Sequence, residues 1–137
     1  TSMDDTVWTR EYEDGTEEMV TEEDLNPNPL LRWAAISGVS MELDFKLGGK
    51  AVFATAVTTK STSYSIKIVT KLQSYRSGTW KTLYTKTKTS NYTGTTNSGS
   101  YYVTKGYKYR TRNTITVYNS SGNVIETDTL NCTRTYN

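Results

Sequence analysis

The chain has 137 residues, a net charge of +2, one cysteine and no histidine, and 34% of its residues are hydrophobic. This length corresponds to one compact domain. The missing histidine excludes the commonest general base and transition-metal ligand, and the single cysteine excludes an intrachain disulfide and a cysteine-rich metal site. No apolar run approaches the roughly 18–20 residues of a membrane-spanning helix. A histidine-free chain rich in threonine, serine and tyrosine is typical of extracellular proteins, so we expect a secreted or cell-surface location.

The small net charge conceals two oppositely charged segments. Residues 1–35 carry ten acidic and two basic residues, whereas residues 36–137 carry fourteen basic and four acidic residues. We therefore expect an acidic N-terminal extension with an apolar connector over 1–35 and one folded domain over 36–137. Two alternatives stay open for the extension: a solvated disordered tail, or a segment that lies on the basic domain. In the second alternative the segment is held partly by four apolar residues, Trp8, Met19, Val20 and Leu25.

The first predicted hairpin follows a turn signal over 26–29. Apolar and polar residues alternate over 39–47, which predicts a half-buried strand, and a second strand is predicted over 50–59. Gly48 and Gly49 between them fit a two-residue turn that requires positive φ. This turn predicts four cross-strand pairs: Leu47 with Lys50, Phe45 with Val52, Leu43 with Ala54 and Met41 with Ala56.

The second strand carries apolar residues on both of its faces. Phe53 and Val57 lie on the face opposite to the paired alanines, so that face also needs cover. We expect the apolar connector, through Leu30, Leu31 and Trp33, to provide it.

The rest of the chain continues the period of two that is typical of strands. Strands are predicted over 63–74, 79–88, 100–105, 107–118 and 123–134, and the turn-rich residues 89–99 are predicted to form a polar loop. Seven strands with almost no helical pattern predict an all-β fold. We expect an immunoglobulin-like β-sandwich of about seven antiparallel strands with a short acidic N-terminal extension.

The last predicted hairpin allows a test of register. Residues 119–122 fit a type I turn with Gly122 in a left-handed conformation, followed by a bulge. This three-residue loop pairs Val117 with Ile125 on the core face and directs Glu126 outward. A two-residue turn would place Glu126 beside Val117 in the core, and burial of an unpaired carboxylate is costly.

The run Val103-Thr104-Lys105-Gly106-Tyr107-Lys108-Tyr109-Arg110 resembles the entry to the F strand of fibronectin type III and other immunoglobulin-like domains. The resemblance implies a tyrosine corner, with Val103, Gly106 and Tyr109 at the matching positions and the Tyr109 hydroxyl bonded to backbone. Lys105 replaces the usual proline, and the early tryptophan of the fibronectin pattern is missing. As a whole the chain resembles uncharacterised small secreted proteins of Gram-positive, clostridia-type bacteria. The resemblance covers about residues 36–135 and implies fold and compartment without an activity.

Residues suited to catalysis are few. Two pairs of carboxylates could support glycosidase chemistry, but Glu42 with Asp44, and Glu126 with Asp128, are expected on outward strand faces, solvated or paired with cations. Cys132 has no histidine to activate it. We therefore expect no catalytic residues, no metal site, no cofactor and no enzymatic activity.

A cationic strand face is the first candidate binding surface. Strand alternation directs Lys108, Arg110 and Arg112 to one face, where Lys67 and Lys71 join them if their strand is a neighbour. The tyrosines of this strand face inward, and nucleic-acid binding needs aromatic residues exposed beside the cations. We therefore expect an anionic cell-surface polymer rather than a nucleic acid as the partner of this face.

Exposed aromatic residues are the second candidate surface, because aromatic rings can stack on sugar rings. Trp80, which core burial would also explain, and Tyr92 in the polar loop are the two candidates. The sequence predicts a secreted or cell-surface binding or adhesion module that recognises a glycan or an anionic polymer. The alternative is a small secreted effector or antibacterial factor that acts on an anionic surface through its basic face. Oligomeric state does not follow from the sequence, although edge strands could pair between chains.

Overall fold

A computed structural model describes residues 5–25 and 34–137, which form two antiparallel sheets. The strands are β1 (Val7–Glu11), β2 (Glu17–Val20), β3 (Ile36–Lys46), β4 (Lys50–Thr59), β5 (Ser65–Arg76), β6 (Thr79–Ser90), β7 (Gly94–Tyr102), β8 (Tyr107–Tyr118) and β9 (Val124–Tyr136), and a short helix, α1 (Glu22–Leu25), follows β2. The larger sheet has the order β2-β1-β9-β8-β5-β6, and the smaller has the order β3-β4-β7. The predicted all-β sandwich is confirmed, with nine strands in the described ranges instead of seven. None of the helical segments in these ranges is long and apolar enough to span a bilayer.

The inner faces of the two sheets meet in an apolar core. In β8, Tyr109 and Ile115 are fully buried, and Leu43 of β3 and Phe53 of β4 face them from the smaller sheet. Because alternate residues of a strand point to opposite faces, the even-numbered residues of β8 lie on the outer face of the larger sheet. That outer face carries the predicted cations.

The acidic segment lies on the domain and is part of the larger sheet. β1 pairs with β9, and β2 continues the sheet on the other side of β1. The Trp8 indole donates a hydrogen bond to the Met41 carbonyl oxygen at 3.2 Å, and Val20 and Leu25 are buried. Met19 is 74% exposed, so three of the four apolar residues expected to hold the segment do so. The disordered-tail alternative is wrong for residues 5–25.

The β3–β4 hairpin differs from the prediction in register. Lys46 pairs with Lys50 across a three-residue loop, so Phe45 lies opposite Ala51 instead of Val52. Gly48 and Gly49 have the predicted positive φ, 90° and 85°, but the two-residue turn is wrong.

The observed register reverses the two faces of β4. It buries Phe53 and Val57 in the core and leaves Ala54 and Ala56 half-buried on the outer face of the smaller sheet. Burying the larger side chains removes more apolar area from water. The connector residues that were expected to cover Phe53 and Val57, Leu30, Leu31 and Trp33, lie outside the described residues.

The predicted polar loop over 89–99 is wrong, because most of it forms β7. Asn97 points inward, and its Nδ2 donates hydrogen bonds to Thr70 Oγ1 and the Lys86 carbonyl oxygen, both at 2.9 Å. A Cβ at Gly99 would lie 2.9 Å from Phe53 Cζ. Residues that usually mark turns here join the two sheets and make room for an aromatic ring.

The β8–β9 hairpin has the predicted turn but not the predicted register. Gly122 has φ 84°, and its N–H donates to the Asn119 carbonyl oxygen at 3.0 Å. A further bulge then places Val117 opposite Glu126 instead of Ile125. The Glu126 carboxylate accepts hydrogen bonds from the backbone N–H groups of Ala35 and Ile36, at 2.8 and 3.0 Å. The register prediction is wrong because this carboxylate, on the core side of β9, has partners.

The tyrosine corner is present. The Tyr109 hydroxyl donates to the Thr104 carbonyl oxygen at 2.6 Å and accepts a hydrogen bond from the Thr104 N–H at 3.1 Å. Gly106 has φ 98°, and its N–H donates to the Tyr136 carbonyl oxygen at 2.7 Å. The hydrogen bond that the resemblance implied for Tyr109 is confirmed, even though Lys105 stands in place of the usual proline.

Candidate binding face

The outer face of the larger sheet brings most of the predicted cations together. β5 and β8 are neighbours, with Lys71 opposite Arg112 and Tyr75 opposite Lys108. Arg110 lies between these two rows on β8. Lys67 is on the same face but lies near the other end of β5, opposite Thr116.

β1 and β2 form a hairpin rich in acidic residues, which we call the acidic hairpin. Its carboxylates neutralise Arg110 and Arg112, the two arginines of this face. The Glu11 carboxylate accepts two hydrogen bonds from Arg112, at 2.5 and 3.2 Å. These bonds lower the pKa of Glu11 and raise the pKa of Arg112. Glu17 lies 3.8 Å from the Arg110 guanidinium. The hydrogen-bonded hairpin therefore contributes its own charges to this face.

The three lysines of the face, Lys67, Lys71 and Lys108, differ from the arginines. No carboxylate in residues 5–25 and 34–137 forms an ion pair with any of them. The accessible positive charge of this face is therefore carried by lysine ammonium groups.

Trp80 lies at the β6 edge of the same face, opposite Tyr75 of β5. The two ring centroids are 5.1 Å apart, at an interplanar angle of 57°. The Arg110 guanidinium lies 4.2 Å from the indole centroid, and Lys108 Nζ lies 5.3 Å from the Tyr75 ring. Trp80 is half-buried, so it belongs to a surface cluster of aromatic and cationic side chains and not to the core.

Arg110 is held in place from several sides. Its Nε donates to Gln73 Oε1 at 2.7 Å, and the residue is only 7% exposed. Burial lowers the pKa of the guanidinium, and the carboxylates of Glu17 and Glu11 oppose that effect. This guanidinium packs against the Trp80 indole, and a preorganised site loses less entropy on binding.

A depression of about 260 Å³ lies beside this cluster. Its lining combines acidic, basic, aromatic and hydroxyl groups with one aliphatic side chain: Asp5, Val7, Glu17, Trp80, Lys108, Arg110, Thr133, Arg134 and Thr135. Sequence reasoning identified the cations and Trp80 but missed Asp5, Glu17 and the two threonines. No local pattern predicts that the acidic hairpin pairs with β9.

Tyr92 does not join this site. It lies in the β6–β7 connection and is 77% exposed, beside a second depression of about 560 Å³. Trp80 lies near the opposite end of β6, roughly 30 Å away along the strand. Tyr84 and Tyr101 stack on each other 5.3 Å apart, away from Trp80. The aromatic candidates therefore occupy separate surfaces.

The carboxylate pairs do not form a catalytic arrangement. Asp44 pairs with Lys46 and Arg134, while Glu42 is exposed. Glu126 and Asp128 were expected outward but lie on the inner side of β9.

Asp128 forms an ion pair with Arg10 at 2.5 Å, and burial raises its pKa to about 6. Burial also raises the pKa of the Cys132 thiol to about 12. In the described part of the chain, no three metal-ligating side chains are grouped as a metal would require.

No protein-family model matches this chain, and no curated protein matches it at a significant level.

Proposed function

We propose that this protein is a non-enzymatic, secreted or cell-surface binding module that recognises a glycan at the outer face of its larger sheet. The observation that carries the proposal is the Trp80–Tyr75 pair, fixed by Arg110 beside an open depression. We also propose an immunoglobulin-like classification. Without β1 and β2, seven antiparallel strands in two sheets and a tyrosine corner on the penultimate strand support it.

The chemistry of the depression suits a polyhydroxylated ligand. Aromatic rings offer a flat apolar surface to the C–H groups of a sugar, and Thr133 and Thr135 present hydroxyl groups that donate and accept hydrogen bonds. Lys108 and Glu17 add one positive and one negative charge to the lining. A site with several convergent polar groups around an aromatic anchor is typical of specific recognition.

The charge balance favours a neutral or weakly anionic glycan over a dense polyanion. Glu11 and Glu17 pair with the two arginines, and Asp5 pairs with Arg134 at 3.0 Å. On the outer face, the cations of residues 5–25 and 34–137 that form no ion pair with a carboxylate are lysines such as Lys71 and Lys108. This balance also weighs against an effector that acts through a strongly basic face.

The experiment is an array of glycans and cell-wall polysaccharides probed with the intact protein and with Trp80→Ala. We expect at least one glycan to bind and the variant to lose about tenfold or more in affinity, as truncation of an aromatic anchor does. Tyr92→Ala is the matched control, because Tyr92 is exposed at a separate surface. Unchanged glycan binding by Trp80→Ala, or equal losses in both variants, would overturn the proposal.

A further inference from the structure

The larger sheet ends in an edge strand on each side. In the described residues, β2 and β6 are its outermost strands, and no other strand pairs along their outer sides. Six strands that are all antiparallel to their neighbours leave these two strands antiparallel to each other. A second copy that is shifted along the sheet would therefore present its β2 antiparallel to β6 of the first copy, with the outer faces on the same side. Unpaired edges of this kind are templates for pairing between chains.

The two edges carry opposite charge. Residues 12–25, which include β2 and α1, contain seven acidic residues and no basic one: Glu13, Asp14, Glu17, Glu18, Glu22, Glu23 and Asp24. β6 contains three lysines and no acidic residue: Lys81, Lys86 and Lys88. Opposite charges at facing positions of adjacent strands are stabilising, and like charges are destabilising. Pairing of β2 with β2, or of β6 with β6, is therefore disfavoured.

The register of the sheet aligns the charges of the two edges. One row of paired residues crosses all six strands in the order Glu18, Arg10, Leu130, Asn113, Thr70 and Lys86. Glu18 and Lys86 are thus the two ends of a single row, and both lie on the inner side of their strands. If β2 of one copy pairs with β6 of the next without a shift along the strand direction, Glu18 of the first copy lies directly opposite Lys86 of the second.

The neighbouring rows of paired residues are also compatible with pairing between β2 of one copy and β6 of the next. Val20 and Tyr84 end a second row on the inner side, while Met19 and Thr85 end a row on the outer side. Met19 is 74% exposed in the single chain. Its side chain would lose solvent contact beside the Thr85 methyl group, which apolar burial favours.

We propose that copies of this chain associate head to tail, with the β2 edge of one copy paired to the β6 edge of the next in a continuous antiparallel sheet. This contact is heterologous, so it leaves a free edge at each end and allows further copies to add. β2 has only four residues, so the contact is weak and depends on concentration. Its charges are exposed, and salt therefore weakens it.

The experiment measures sedimentation velocity of the intact protein up to about 1 mM, in about 0.02 M and about 0.5 M salt. We expect a series of species that grows with concentration at low salt and shrinks at high salt. Lys86→Glu combined with Lys88→Glu reverses the β6 edge and should raise the concentration for half-association by about tenfold or more. Lys60→Glu combined with Lys105→Glu is the control. It changes the net charge by the same amount at positions outside β6 and should leave association unchanged.

A mixing experiment tests the direction of the contact. Glu18→Lys reverses the β2 edge, and Glu18→Gln is measured beside it because Glu18 lies opposite Arg10 within the hairpin. Each reversed variant alone should need a concentration about tenfold or more higher for half-association, and their mixture should associate at a lower concentration than either variant, because each reversed edge then meets an opposite charge.

Four outcomes would overturn the proposal. They are a monomer at every concentration and salt, a closed dimer that does not grow, variants that associate as the unaltered protein does, and a mixture that stays monomeric although circular dichroism shows both variants folded.

Discussion

Asp128 gives the stability of this protein an unusual dependence on pH. Its Oδ1 forms the ion pair with Arg10, its Oδ2 is buried without a hydrogen-bond partner, and Glu126 lies beside it. Burial raises the pKa of Asp128 from an ordinary value of 3.8 to about 6. Because Asp128 and Glu126 interact, the measured value belongs to the pair.

Proton linkage determines whether the free energy of unfolding rises or falls with pH. Between about pH 4 and pH 6 the folded chain holds a proton on this group that the unfolded chain has released, so the free energy of unfolding falls as pH rises. From pH 4 to pH 7 this loss is about 2 kcal/mol for a single group with these two pKa values. It is opposite to the effect of carboxylates whose pKa is lowered on folding.

The assay is urea denaturation of the unaltered protein and of Asp128→Asn at a series of pH values from about 4 to about 7. The asparagine does not titrate, so we expect the stability difference between the proteins to shift by about 2 kcal/mol across this range in favour of the variant. Glu42→Gln, at an exposed carboxylate, is the control and should show no comparable shift. A constant difference between Asp128→Asn and the unaltered protein would refute the reasoning, and so would a shift of opposite sign.

Three further predictions concern the packing and electrostatics of the fold. Tyr109→Phe removes both hydrogen bonds of the tyrosine corner and should lower the free energy of unfolding by about 1–3 kcal/mol in urea denaturation. Gly99→Ala should lower the free energy of unfolding by about 1–3 kcal/mol, because the new Cβ would lie 2.9 Å from a ring carbon of Phe53. Gly94→Ala is the control: its new Cβ would have its nearest contact at 3.7 Å, so the thermal midpoint should change little. Glu11→Gln should lower the free energy of unfolding by about 1 kcal/mol at pH 7. The pKa of Glu11 lies below its ordinary 4.5, so the difference between the variant and the unaltered protein should vanish as pH falls through this lowered pKa, which denaturation at a series of pH values measures.

The sequence predicts strands more accurately than the pairing between them. The bounds of β4, 50–59, and of β8, 107–118, agree with the prediction at both ends, because alternation is a local property of the chain. Register depends on partners that are distant in sequence. Gly48 and Gly49 predict a two-residue loop after Leu47, but the loop follows Lys46 and has three residues, because the register with the longer loop buries Phe53.

Two features of the fold could not be predicted from local sequence patterns. In the acidic hairpin, Val20 belongs to the core and Trp8 packs against it, β1 pairs with β9, and most of the hairpin's own residues do not favour strands. Residues 94–99 of β7 were predicted as part of a loop because glycines and asparagine usually mark turns. Here Gly99 accommodates Phe53 and Asn97 donates to backbone across the sandwich, which only the tertiary structure shows.

The charge asymmetry of the chain has two separate consequences because the hairpin is the outermost part of the sheet. Glu11 and Glu17 point to the outer face, where they pair with its arginines, and Glu17 also lines the depression. Glu18, the next residue of β2, lies on the inner side of that strand, at the sheet edge opposite to the edge that carries Lys86. Glycan binding and head-to-tail association thus depend on different side chains. Trp80→Ala should leave the sedimentation of the protein unchanged, and reversal of the β6 lysines should leave the glycan affinity of a single copy unchanged.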